Sequence, residues 1–234
     1  MYTELDASKI IQTVDRLERR IVERFPDSGL RRVASEVSST ARQLCKTAES
    51  LGKPHPTLRV LAGVSIALVI VAALAALIAV LARVDQSGSV SVTDMAQGIE
   101  ATVNDIVFLG LAIYFILTWE RRAKRRTALG ALHKLRSLAH VVDMHQLTKD
   151  PDRIAHPQPD TESSPERAMT VEQMGRYLDY CSEMLSLLGK IAALFPQRFD
   201  DSGVLEAASD IENLTIGLSR KVWQKITMLQ DVTA

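Results

Sequence analysis

The chain has 234 residues and a mass of 25.8 kDa, with 28 Lys+Arg balanced by 28 Asp+Glu. A net charge of zero excludes a whole-protein electrostatic grip on nucleic acid, and two distant cysteines, Cys45 and Cys181, exclude a disulfide framework or a C-x-x-C metal module. Hydrophobic residues are 47% of the chain, and a large share of them falls into two blocks.

Residues 1–57 read as a helical hairpin. Ile10, Val14, Leu17 and Ile21 recur at spacings of three and four, as do Leu30, Val33, Val37, Ala41 and Leu44, and Asp-Ser-Gly (27–29) between the two runs supplies oxygens that cap a helix start. Arg24 ends the first run beside the amides of the next helix, which makes it a candidate anion contact; an Arg satisfying a carbonyl or a carboxylate is the structural alternative.

The next segment, 58–83, contains 23 uncharged residues from Val60 to Ala82, with Ser65 as the one side chain that is neither apolar nor glycine. A helix of that length spans roughly 34 Å, enough for a hydrocarbon core of ~30 Å, and few buried helices of water-soluble proteins are apolar all round for so long. Gly63, Ala67, Ala72, Ala75, Ala76, Ala79 and Ala82 place small residues at spacings of three and four, the pattern by which helices approach closely in lipid, either within one chain or between copies.

After an external loop at 84–100, which carries Asp85, Asp94 and Glu100 and no Lys or Arg, a second span is expected over 101–119. Tyr114 and Trp119 suit its interfacial end. Asp105 would lie near the outer end, either in contact with water or as a pore-lining residue on an ion pathway. Immediately afterwards, Glu-Arg-Arg-Ala-Lys-Arg-Arg (120–126) holds five basic residues in seven. Basic flanks and a non-basic loop put both termini in the cytoplasm and give the cluster contact with anionic lipid headgroups.

Continuing the second span, 120–147 reads as a basic cytosolic stalk helix with the apolar stripe Leu129, Leu132, Leu135, Leu138 and Val142. Another face repeats His133, Arg136, His140 and Asp143, with His145 nearby, and His133 and His140 are candidate proton sensors. No H-E-x-x-H accompanies them, the ligand set for a metal is incomplete, and a solvated polar face explains the same spacing. The linker 148–169 holds four of the eight prolines.

Residues 170–234 form a second expected hairpin, with apolar runs Val171, Met174, Leu178, Cys181, Leu185, Leu188, Ile191 and Leu205, Ala208, Ile211, Leu214, Leu218, Val222, Ile226. Its turn, RFDDSGVLEAASDI (198–211), matches RFPDSGLRRVASEV (24–37) at seven of fourteen positions, so the two hairpins read as a duplication at an offset of 174. Arg198 is the counterpart of Arg24 and the second candidate anion contact.

Together these elements predict an all-α membrane protein: a two-helix transmembrane hairpin with two sequence-related cytosolic helical hairpins forming a four-helix bundle. Nucleotide-binding, kinase and hydrolase motifs are lacking, so no enzyme activity and no cofactor or metal is expected. The expected function is an oligomeric inner-membrane channel, pore-forming or signal-responsive effector, with a membrane anchor or scaffold for a soluble partner as the alternative. Its expected partners are the lipid bilayer, further copies of itself, and a cytosolic protein or small-molecule signal, with no nucleic acid.

Overall fold

The computed structural model describes residues 4–53, 60, 63–71, 73–75, 78, 82, 92–151, 162 and 169–233, with side chains omitted at 92–99, 101–102, 105–106, 116–117 and 232–233. Every element among them is an α-helix: α1 (Ala7–Arg24), α2 (Gly29–Leu51), α3 (Val92–Leu147), α4 (Val171–Arg198) and α5 (Ser202–Thr233). Two compact units result, one of residues 1–52 with 125–234, the other of residues 53–124.

Local chemistry sets the helix ends of the larger unit. Asp6 caps α1 by accepting from the amides of Ser8 and Lys9, and Thr170 and Gln173 form a reciprocal capping box at the start of α4. Phe25 and Phe199 close α1 and α4 by donating their amides to the carbonyls of Ile21 and Phe195. In the two Asp-Ser-Gly turns different residues act as caps: Ser28 accepts from Arg31 N, whereas the Asp201 carboxylate accepts from the amides of Gly203 and Val204.

Packing follows the apolar periodicity. Ile10, Val14, Leu17 and Ile21 of α1 meet Leu30, Val33, Val37, Ala41 and Leu44 of α2 in a core shared with α4 and α5, all of them buried. The pairs Arg20–Glu183 and Arg198–Glu4 run α1 antiparallel to α4. On the polar side of the first hairpin, Ser38 and Arg42 of α2 both reach Asp15 of α1, at 3.1 and 2.7 Å.

Three expectations change. Ala128, Leu132, Leu135, Ala139 and Val142 are buried in this same core, so the stretch expected to be a stalk is a fifth helix of the bundle. Its leucine stripe would cost about 2 kcal/mol per side chain if left in water, which is the reason it docks. At the start of α5, Val204 is buried and Leu205 is 56% exposed, so the buried stripe begins at Val204 rather than at Leu205 and then runs as expected through Ala208 and Ile211. Residues 92–100, expected as external loop, already belong to α3.

Both points where the chain leaves the bundle lie beside the 198–202 turn. A Cβ on Gly52 would stand 3.6 Å from the Arg198 carbonyl oxygen, and Arg125 Nε lies 3.4 Å from Asp201. Of the other unit, 63–71 and the stretch of α3 up to Lys124 are helical. Among the described residues no helix is long and apolar enough to cross a membrane. The uncharged run Val60–Ala82 lies partly outside those residues, as do loop residues 84–91 and most of the linker 148–169.

Candidate functional site

Four of the five candidate residues have described side chains, and the structure distributes them rather than gathering them. Arg24, the last residue of α1, lines an open groove of about 540 Å³ with Arg20, Glu23, Arg176 and Tyr180. Arg198, the last residue of α4, pairs with Glu4 at 3.7 Å. Because Arg176 and Arg198 stand at opposite ends of α4, roughly 33 Å apart along the helix, no single anion could engage Arg24 and Arg198.

Charge in the Arg24 groove is nearly matched. Arg20 makes a two-pronged pair with Glu183 at 3.0 and 3.2 Å, and its guanidinium sits 5.1 Å from the centre of the Tyr180 ring. That pairing raises the Arg20 pKa further. Arg176 stands 3.6 Å from Asp179, and Glu23 adds another carboxylate. Such an arrangement ties α1 to α4 and presents little excess positive charge to an anion.

His133 and His140 are both exposed on α3, and Arg136 from the same face reaches Asp210 of α5 at 3.9 Å. Asp143 accepts a hydrogen bond from Gln146 at 2.7 Å. Among the described residues no group of His, Cys, Asp and Glu could hold a metal ion. Asp105 lies in α3, but its side chain is outside the described residues.

A cluster that the sequence did not single out surrounds the end of α3. Lys225 of α5 donates to the carbonyls of Gln146 and Lys149 at 2.8 and 2.9 Å, adding to the Lys149 amide that already donates to Gln146 and tying α5 to the end of α3. Burial lowers its pKa. Tyr177 of α4 donates to the His145 carbonyl at 3.3 Å, and Lys149 Nζ lies 5.1 Å from the centre of its ring. Beneath them Cys181 is fully buried, and desolvation pushes its thiol up to about 12. Such a thiol is a packing group, inert as a nucleophile. A Lys 22 residues past the Asp-Ser-Gly turn carries no periodic signature of its partner, so only tertiary contact reveals the cap.

The smaller unit contrasts with the bundle in what it exposes. Leu68, Val71 and Ile78 are 72%, 64% and 64% exposed, and Phe108, Leu111 and Tyr114 are 71%, 61% and 64% exposed. Gly63 and Gly110 have open space where a Cβ would stand. Between its first and last residues, Lys124 donates to the Lys53 carbonyl at 2.9 Å, and Lys124 also pairs with Glu120 at 3.0 Å.

Comparison of the chain with family models, with curated proteins and with solved structures returns no match.

Proposed function

We propose that the chain is a membrane effector: residues 60–82 and 101–119 cross an inner membrane as a hairpin, copies assemble through these spans into a homo-oligomeric channel or pore, and the bundle on the cytoplasmic side receives the signal. One observation carries the reading. Large apolar side chains at 60–78 and 103–119 are mostly solvent-exposed, whereas most of those of the bundle are buried. Each such side chain loses ~1.5–3 kcal/mol in water relative to an apolar surrounding, so this surface calls for hydrocarbon. The basic cluster 120–126 then meets anionic headgroups and keeps both termini cytoplasmic. The likeness of the two Asp-Ser-Gly turns supports an origin of the bundle by duplication.

Small residues of the first span supply the assembly surface, because helices in lipid associate through close packing. Reconstituting the full chain into vesicles of zwitterionic and anionic phospholipid and measuring dye leakage tests the pore. Leakage that rises with protein and falls in Ala67→Leu/Ala75→Leu supports it. Stable membrane association without leakage leaves the second reading, an anchor that recruits a partner. Leu205, Ile216 and Trp223, 56%, 52% and 56% exposed and spaced to share one face of α5, favour that second reading. A chain that stays in the aqueous phase with no association overturns both.

A further inference from the structure

The end of α3 packs against the beginning of α2 through one side chain. A Cβ at Gly29 would stand 2.7 Å from Cε1 and 3.1 Å from Nδ1 of His145, so the imidazole rests directly on the first residue of α2. That is the positive end of a helix, where unpaired amides point outward.

The groups around the ring are mostly cationic. Arg32 of α2 and Lys149 on its own segment act on it directly, and Lys225 of α5 covers the next carbonyls of α3. From α4 comes the neutral hydroxyl of Tyr177, which engages the His145 carbonyl. Asp143 is occupied by the Gln146 amide, and Asp150 acts on Lys225. Among the described residues no carboxylate pairs with His145.

We propose that His145 is a proton-sensitive wedge, neutral when α2 and α3 are docked, whose protonation drives the first turn of α2 away from the end of α3. A proton on the imidazole would add a fourth positive centre to Arg32, Lys149 and the amide end of α2, with no carboxylate among the described residues paired to it. Burial, followed by Arg32 and Lys149, holds its pKa below the ordinary histidine value. Since the docked ring binds its proton less readily than the undocked one, docking is fully present above the ordinary value and weakens as pH falls through the lowered one. The device is independent of the pore reading, and it sits at the bundle end opposite Gly52 and Arg125.

Its test is hydrogen exchange on the full chain in detergent, expressed as protection of residues 29–33 between pH 7.5 and 5.0. Wild type should lose protection there on acidification, and His145→Gln should hold it. Arg32→Gln should move the midpoint to higher pH, because one of the cations opposing protonation is gone. His133→Gln and His140→Gln should behave as wild type. Loss of protection that persists in His145→Gln overturns the proposal, as does an Arg32→Gln midpoint that stays or falls. Should His145→Gln fail to fold, NMR titration of the wild-type ring decides: an apparent pKa at or above ~6.5 overturns it.

Discussion

Gly189 of α4 faces Thr215 of α5, and a Cβ there would stand 2.9 Å from Thr215 Oγ1, a hydroxyl already donating to the Glu212 carbonyl. Alanine is the better helix former by ~1 kcal/mol, but at this position it must push a buried β-branched side chain. Gly189→Ala is therefore expected to lower the melting temperature, and the same change in a Thr215→Ala background to raise it by the equivalent of ~0.5–1 kcal/mol. A cycle of four melting curves in detergent checks the sign reversal. Lys225 offers a second case. Lys225→Met keeps the aliphatic stem and removes two charge-assisted hydrogen bonds to the end of α3, so a loss of ~1–3 kcal/mol is expected by chemical denaturation. Cys181, with its pKa near 12, should resist alkylation at pH 8 until the chain unfolds.

At the scale of the element, the decisive comparison is α3. If residues 125–147 were a solvated stalk, a charge on the leucine stripe would be nearly silent. Because Leu132 and Leu135 are 1% and 0% exposed in a core shared with the two hairpins, Leu135→Asp should cost several kcal/mol, as should Leu17→Asp and Ile191→Asp. A melting temperature for Leu135→Asp within a degree or two of wild type would return the segment to a stalk. The start of α5 gives a matched pair: Val204→Asp should destabilise strongly and Leu205→Asp barely, since one residue of phase separates a buried from an exposed position. In both cases periodicity marks an apolar face, and the elements packed against it decide which of its residues are buried.

For the whole molecule, the bundle and the apolar unit should respond to different solvents. The bundle buries most of its large side chains internally, while the 60–78 and 103–119 surface is mostly exposed, so the full chain should float with phospholipid vesicles and resist alkaline extraction. Removing 53–124 and joining Gly52 to Arg125 by a short Gly/Ser linker should leave the bundle folded and free of vesicles, because both cut points flank the same 198–202 turn. Circular dichroism and vesicle flotation of the deletion variant check both halves, and retained binding would shift the membrane contact onto the bundle.

Much of this organisation is legible in one dimension. Spacings of three and four identify the buried faces of α1, α2 and α4, Asp-Ser-Gly marks two helix starts, and a long uncharged run identifies the segment that leaves the bundle, because each depends on neighbours within a turn or two. The amphipathic stripe of 128–142 is equally visible, yet its partner is not: a leucine row states that a face must be covered and is silent about what covers it. Only the tertiary structure decides that the segment enters the bundle, that Lys225 caps it from 79 residues away, that Arg24 and Arg198 stand at opposite ends, and that His145 rather than His133 or His140 is wedged between helices. Those are relations between residues remote in sequence, set by which faces meet when the hairpins close, and no local pattern encodes them.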